Sequence, residues 1–165
     1  MTAKDLDRSS QLEQQFLSGI KNHRPNLSTR DPSLSQAQYF DLFDAQLQSR
    51  HIDNMSRILK QTGQGYYAIN SYGHEANAAI AAAFFHTDMA FLHYRSAAFM
   101  IQRAKALPQI DMPRDLLRSI TTSIHDPISA GRHKVFGSLP LFPPPQTSTI
   151  GSHLPKAVGA AASIK

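Results

Sequence analysis

The segment from Ser35 to Gln61 has the hydrophobic periodicity that most constrains the fold of this chain. Apolar residues that recur with a period near 3.6 are typical of an amphipathic helix. Ser35 is a favourable N-cap, and Gly63 and Gly65 favour the end of a helix. The sequence therefore predicts a long helix here, with an apolar stripe that consists of Tyr39, Phe43, Leu47, Ile52, Met55 and Leu59.

Three later segments also favour helices. Residues 74–86 are rich in alanine and predict a buried helix, because alanine has a high helix propensity and allows neighbouring elements to approach closely. Residues 95–107 return to helical periodicity, and Pro113 is well placed as the first residue of another helix. The sequence thus predicts a helix-rich chain.

Candidate strands are few. Residues 66–73 are compatible with a strand or a loop, and residues 88–94 predict a brief extended segment. Residues 125–148 contain Gly131, Gly137 and several prolines, and they predict a long loop. A loop of this length within a compact domain is more often functional than idle.

Length and composition indicate one folded domain. The chain has 165 residues, of which 41% are hydrophobic and 18% are charged, so it can bury a core. It contains no apolar run of about 18 residues, and its first residues lack the layout of a secretory signal. With no cysteine it can form neither a disulfide framework nor a thiolate metal site. We therefore expect a cytoplasmic protein that does not span a membrane.

The net charge of +5 raises the possibility of nucleic-acid binding. The 17 lysines and arginines are scattered, however, and no aromatic residues interleave with the densest basic group, around Lys21, His23, Arg24 and Arg30. The pattern favours a solvated basic surface and no nucleic-acid partner. Such a surface would also suit a small anionic ligand.

Short catalytic motifs give no assignment. His74 and Glu75 begin like a zinc-protease helix, but Ala78 stands where the second histidine would be. The segment GSHLPKAV (151–158) has a glycine and a lysine five positions apart, but it lacks the other residues of a phosphate-binding loop. No dinucleotide fingerprint or nucleophile elbow is present.

Four stretches in a specific order carry a family resemblance: SYGHEANAAIAAA (71–83), HYRSAAFM (93–100), GRHKVFGS (131–138) and QTSTIGSHLPKAVGAAASIK (146–165). Together they resemble the alpha subunit, or the alpha half of a fused alpha–beta chain, of the thiamine-diphosphate-dependent dehydrogenase component of 2-oxo acid dehydrogenase complexes of the pyruvate and branched-chain type. The resemblance covers about residues 35–165 and implies an α/β thiamine-diphosphate-binding fold. This span would be its helix-rich N-terminal part, from a parallel-sheet domain cut short, and residues 1–34 would form a polar arm.

The resemblance implies four residues that contact the cofactor. Tyr94 and Arg95 would reach the diphosphate of thiamine diphosphate, since a guanidinium suits phosphate oxygens. The structural alternative is that Arg95 binds its own loop and Tyr94 only packs. Ser148 would lie beside the aminopyrimidine, and Ile150 would support the bent middle of the cofactor. For these two residues the alternatives are a helix-initiating cap at Ser148 and a core position for Ile150.

Three further residues have implied roles. In some relatives the hydroxyls of the 146–152 segment bind a monovalent cation, which here implicates Thr147 and Ser152. His133 could face the substrate side of the cofactor cleft, although a loop histidine is more often simply exposed. Beyond His133, we expect no catalytic residue in this span.

The resemblance assigns the remaining machinery to segments that this sequence does not contain. A Gly-Asp-Gly motif with a later asparagine would bind Mg²⁺, and a catalytic glutamate would come from the beta part. We therefore expect a truncated alpha part that is inactive alone and belongs to a homo- or hetero-oligomer. Its partners would be the beta subunit or beta half and a lipoyl-bearing acyltransferase. The alternative is a non-catalytic helical interaction module derived from this family.

Overall fold

The structure, a computed structural model, describes residues 8–24, 33–66, 70–132 and 135–164. The chain divides into two compact units, Met1–Leu34 and Ser35–Lys165. In chain order the described elements are α1 (Arg8–Asn22), α2 (Gln36–Gln61), α3 (Asn77–Ala83), α4 (Ala97–Ala104), α5 (Met112–Ile120), β1 (Val135–Phe136), β2 (Gln146–Thr147) and α6 (His153–Ser163). No helix in these ranges combines the length and the apolar character that a membrane crossing needs.

The first unit contains a helix that the sequence-based prediction of a polar arm did not include. α1 spans Arg8–Asn22 and ends before Pro25, so neither Pro25 nor Pro32 interrupts it. Its apolar side chains, including Phe16 and Ile20, are more than half exposed.

α2 begins and ends where the sequence predicts. The Ser35 hydroxyl accepts a hydrogen bond from the Gln38 backbone N–H at 3.3 Å, and the Gln38 side chain accepts one from the Ser35 backbone N–H at 2.8 Å. This reciprocal pair is a capping box, which satisfies two of the unpaired donors at a helix start. At the other end, Gly63 takes a positive φ of 74°, a conformation that glycine adopts without strain. The predicted helix is confirmed.

The buried face of α2 differs from the apolar stripe that the sequence indicated. Its buried residues are Ala45, Ser49, Ile52, Asp53 and Ser56, so of the stripe only Ile52 is buried. The larger stripe residues, such as Tyr39 and Phe43, are about half exposed. Small side chains on the inner face let the neighbouring helices approach closely, and this steric preference outweighs the burial of bulky residues.

α4 is the centre of the second unit. All eight of its residues, AAFMIQRA, are buried, and it packs against α2, α3 and α5. Its alanines leave room for these neighbours, while Phe99, Met100 and Ile101 fill the core. A polar link reinforces the packing on α2, because the Gln102 amide donates to the Asp41 carboxylate at 2.6 Å.

Arg103 places a guanidinium inside this core. The residue is 3% exposed, and its Nη1 donates to the backbone carbonyls of Asp88, at 2.6 Å, and Leu141, at 3.1 Å. Its guanidinium carbon lies 4.5 Å from the ring centroid of Phe99, in cation–π geometry. Burial lowers the pKa of Arg103, and the nearby Asp88 partly opposes this shift. Arg103 thus ties two separate loops to α4.

The remaining helices are close to the predicted segments but shorter. α3 begins at Asn77, since residues 74–76 form a turn, and it ends before the exposed Phe84 and Phe85. Residues 88–94, predicted to be a brief extended segment, contain no strand. α5 carries Pro113 in its first turn, as expected, and Asp111 caps it by accepting from the Arg114 backbone N–H at 3.1 Å.

The described sheet consists of two short strands. β1 and β2 pair antiparallel, with Val135 opposite Thr147 and Phe136 opposite Gln146. The helix-rich character of the chain is confirmed, whereas the parallel sheet of the implied fold is not among the described residues. The predicted 125–148 loop therefore contains a strand pair and not only irregular backbone.

α6 has no buried residue in the described structure. Leu154, Val158 and Ile164 are 61%, 70% and 76% exposed. The beginning of the helix is attached by a side chain, because the Lys156 ammonium donates to the Gln146 amide oxygen at 3.1 Å. α6 therefore presents an uncovered apolar face.

Asp53 is a buried carboxylate that joins α2 to the loop before α3. It is 3% exposed, and both of its oxygens accept from the Ser71 backbone N–H, at 3.0 and 2.8 Å. Burial raises the pKa of Asp53 to about 6, although the Ser71 hydrogen bond and the charge of Arg50 act in the opposite direction.

We expect Arg103→Lys to lower the free energy of unfolding by about 1–3 kcal/mol, because the shorter lysine side chain loses the planar contact with the Phe99 ring and places its ammonium too far from at least one of the two buried carbonyls. Urea denaturation followed by circular dichroism measures the change. Arg114→Lys, at an exposed side chain, is the control and should change stability by less than about 0.5 kcal/mol. Equal stability of the two variants would contradict this role of Arg103.

The raised pKa of Asp53 predicts a pH-dependent difference between the wild type and Asp53→Asn. Between pH 4 and 6 the folded state binds more protons at this residue than the unfolded state, whose carboxyl has a pKa near 3.8. The stability that wild type gains from this group is therefore full below pH 4 and lost as the pH rises through 6. Relative to wild type, Asp53→Asn should become more stable from pH 4 to 7, by up to about 3 kcal/mol.

Asp44→Asn is the control for the sign of this effect. The hydrogen bond from Lys105 lowers the pKa of Asp44, so its contribution is present at neutral pH and lost as the pH falls through the folded pKa. Denaturation curves at several pH values should therefore show opposite slopes for the two variants. Parallel slopes would contradict the assigned pKa shift of Asp53.

Candidate functional site

The Tyr94–Arg95 pair forms a turn directly before α4. The Ser96 backbone N–H donates to the His93 carbonyl at 2.9 Å, which closes the turn. The Arg95 backbone N–H donates to Nδ1 of His93 at 3.3 Å, so the proton of a neutral His93 lies on Nε2. Both side chains of the pair are half-buried at the entrance to the most buried helix of the unit.

The Arg95 guanidinium has one hydrogen-bond partner among the described residues. Its Nη1 donates to the backbone carbonyl of Asn70, and its central carbon lies 5.4 Å from the Tyr94 ring centroid. This bond joins Arg95 to the loop before α3, and not to its own loop as in the structural alternative. It engages one of the five N–H groups of the fork, which leaves donors for a ligand.

Four aromatic rings meet beside this turn, and we refer to His74, His93, Tyr94 and His153 as the histidine cluster. The His93 ring stacks on His74 with centroids 5.7 Å apart and meets His153 edge-on at 5.9 Å. Its centroid lies 3.8 Å from that of Tyr94. His153 is the first residue of α6, so this contact brings the segment after β2 to the Tyr94–Arg95 turn.

Arg95 supplies the fixed positive charge beside the histidine cluster. Burial lowers the pKa of His93, and the charges that lower it further are those of His74, His153 and Arg95. No described carboxylate acts on His93 in the opposite direction. The acid nearest in sequence, Glu75, is engaged elsewhere, since it pairs with Arg50 and accepts from the Gly73 N–H at 2.9 Å. This part of the surface therefore favours an anion.

The hydroxyl-rich segment after β2 places its predicted residues in different environments. Ser148 is half-buried, and Ile150 is 82% exposed. The Thr147 hydroxyl lies 3.2 Å from that of Thr149. The Ser152 hydroxyl oxygen is buried without a hydrogen-bond partner in the described structure. A buried polar atom without a partner is uncommon and favours a ligand or water at this position.

The structural alternatives for Ser148 and Ile150 are not found. An exposed Ile150 is not a core residue. α6 begins at His153, so its N-cap position is Ser152 and not Ser148. Both residues are therefore available to a ligand.

One predicted site residue has no described geometry. His133 lies outside the described residues. The described part of the chain contains no group of three or more histidine and acidic side chains arranged to hold a metal ion. Thr147 and Ser152, the residues implicated in a monovalent cation site, remain a prediction.

Sequence reasoning did not identify the histidine cluster. His74, His93 and His153 come from three separate segments, and no fixed spacing connects them. The only available signal was that each lies inside or beside a stretch that carries the family resemblance. The cluster arises from tertiary packing of α6 near the entrance to α4.

Comparisons with known proteins give no relative for this chain. No protein-family model matches it, and neither a curated protein nor a solved structure does. The ligand of the Tyr94–Arg95 site must therefore be inferred from the chemistry of its own residues.

Proposed function

We propose that this chain binds the diphosphate of thiamine diphosphate at the Tyr94–Arg95 turn, as part of a 2-oxo acid dehydrogenase. The observation that carries the proposal is the Arg95 guanidinium beside the histidine cluster, which uses one of its donors on a backbone carbonyl and pairs with no carboxylate among the described residues. A diphosphate would supply the missing negative charge and accept hydrogen bonds from the free guanidinium donors.

In this proposal the segment that leads into α6 binds the rest of the cofactor. The unpartnered Ser152 hydroxyl offers a hydrogen bond, and the half-buried Ser148 offers another. Ile150 is an exposed branched side chain that can pack against an apolar ligand surface. These residues would bind and orient the cofactor, which is the role of protein in cofactor chemistry.

When bound, thiamine diphosphate supplies the nucleophilic carbon and the electron sink for decarboxylation of a 2-oxo acid. In the proposed assignment the acyl group passes to the lipoyl group of an acyltransferase. The Mg²⁺ ligands and the catalytic glutamate would come from other segments, the glutamate from a beta subunit or beta half. The chain alone would therefore be inactive and would act in the cytoplasm as part of an oligomer.

Arg95→Gln tests the diphosphate contact directly. The substitution removes the charge and keeps some hydrogen-bonding capacity, so the dissociation constant for thiamine diphosphate with Mg²⁺ should rise at least about ten-fold. Isothermal titration calorimetry measures it. Thiamine, which has no diphosphate, should bind the variant and the wild type equally.

The matched control is Arg8→Gln, which removes the same charge from an exposed position on α1. Its affinity for thiamine diphosphate should stay within two-fold of wild type. If Arg95→Gln binds thiamine diphosphate as tightly as Arg8→Gln does, or if the wild type does not bind it, the proposal is wrong.

A non-catalytic helical interaction module is the second candidate function, and the uncovered face of α6 favours it. A helix with no buried residue, two large exposed apolar side chains and a third directly after its end typically packs against another surface. In this proposal α6 docks on a beta-type partner or on a homologous copy, and Arg95 has no role in the contact.

Val158→Asp tests the interaction module by self-association. Sedimentation velocity of the full chain should show concentration-dependent dimers, and the buried charge should weaken them at least about ten-fold. Arg95→Ala should leave them unchanged. Ile124→Asp, at an apolar residue exposed to a similar extent but outside α6, is the control. A wild type that remains monomeric at high concentration would remove the homologous copy as the partner.

A further inference from the structure

A cleft lies between α5 and the segment 135–140, and we refer to it as the α5 cleft. Its volume is about 460 Å³, and residues 126–128 also line it. This volume is in the range of small-molecule sites in proteins, about 300–1,000 Å³. None of Tyr94, Arg95, Ser148 and Ile150 lines it, so the α5 cleft is distinct from the candidate cofactor site.

Both walls of the α5 cleft are anchored. The Ser119 hydroxyl on α5 donates to the Val135 carbonyl at 3.2 Å. On the other side the Ser138 N–H donates to the Pro143 carbonyl at 3.0 Å. Gly137 lies so close to the proline run that an added Cβ would be 3.1 Å from the Pro143 oxygen. The segment is thus joined to α5 at Val135 and held by the proline run at Gly137 and Ser138, so the cleft is preformed.

Most of the lining is apolar, which indicates a ligand with an apolar body. A ring or a branched alkyl group of a few carbons would contact aliphatic side chains on both walls and an aromatic ring on β1. The principal apolar side chains are those of Ile110, Met112, Leu116, Ile128, Val135, Phe136 and Leu139.

The charged residues of the α5 cleft leave one carboxylate without a counter-ion. Arg118 pairs with Asp115 at 3.0 Å, and Arg114 lies 3.9 Å from Asp111. The third carboxylate of the lining is Asp126, and no cation in the described ranges lies within ion-pair distance of it. Asp126 is 3% exposed, whereas the side chains of Asp111 and Asp115 are 60% and 21% exposed.

The hydrogen bonds of Asp126 are few for a buried carboxylate. Its Oδ1 accepts from the Ile128 N–H at 3.2 Å, and its Oδ2 accepts from the Ser129 hydroxyl. A carboxylate has about four acceptor positions, so capacity remains for a donor in the cleft. Burial of a carboxylate without a counter-ion is costly, and a cation there would offset that cost.

We propose that the α5 cleft binds a small organic amine, whose ammonium group pairs with Asp126 and whose apolar body contacts α5 and β1. A metal cation is a poor fit, because Ca²⁺ and Mg²⁺ require six or more oxygen ligands and this lining is mainly aliphatic. A carboxylate or phosphate ligand is also disfavoured, since both arginines of the lining already face carboxylates.

The test compares three probes of similar shape and different charge: benzylammonium, benzyl alcohol and benzoate. Each is titrated into the ¹⁵N-labelled full chain at pH 7, and amide chemical shifts of residues 126–129 and 135–139 are followed. Benzylammonium should give saturable shifts there and bind at least about ten-fold more tightly than benzyl alcohol, as expected for a charge-assisted bond to a buried carboxylate. Benzoate should produce no saturable shifts.

Two variants and one control assign the site. Asp126→Asn should remove the preference for benzylammonium over benzyl alcohol. Leu139→Trp, at a residue that is 72% exposed, should fill the cleft and weaken both probes at least about ten-fold without a change at Asp126. Asp111→Asn removes an exposed carboxylate of the same lining and keeps a good N-cap, so its benzylammonium affinity should stay within two-fold of wild type.

Each contrary outcome would overturn the proposal. Equal binding of benzylammonium and benzyl alcohol by wild type would show that Asp126 does not select a cation. Absence of saturable shifts, or shifts outside the α5 cleft, would show that no amine binds there. If Asp126→Asn does not fold, the affinity of Leu139→Trp for benzylammonium is the deciding measurement. An unchanged affinity in that variant would show that benzylammonium does not bind in the α5 cleft.

Discussion

The buried guanidinium of Arg103 is the interaction on which the arrangement around α4 depends. It donates hydrogen bonds to the carbonyls of Asp88 and Leu141, which belong to loops before and after the helix in the sequence. Because Leu141 is fully buried, this bond fixes the turn between β1 and β2, and with it one wall of the α5 cleft. A carbonyl is a neutral acceptor, so Arg103 organises the core by hydrogen-bond geometry and not by an ion pair.

Local signals in the sequence predicted much of the helical structure. Ser35 and Gly63 define the ends of α2 because capping and positive φ depend on a few neighbouring atoms. The buried face of α2 was not predictable in the same way. It is selected by how closely α4 can approach, and that distance depends on small residues such as Ala45 and Ser49. Periodicity identifies an amphipathic helix but not the partner that will cover it.

In the candidate site, too, local sequence predicts some features, whereas others depend on tertiary contacts. The position of Tyr94 and Arg95 at the entrance to a helix follows from the local sequence, and in the structure both residues lie in the turn before α4. The histidine cluster required contacts between residues 19 and 60 positions apart, which no spacing rule contains. That Asp126 has no counter-ion among the described residues is likewise visible only once the partners of Asp111 and Asp115 are assigned.

The attachment of α6 has a consequence for local motion. Its first turn is held by the His93–His153 ring contact and by Lys156, whereas the following turns have no buried side chain. Opening of the later turns therefore costs little more than the hydrogen bonds of the helix itself. Amide protons near Ala160 should exchange with solvent much faster than those of α4, which open only when the core does. α6 thus behaves as a tethered helix, fixed where it meets the histidine cluster and free to fray beyond it.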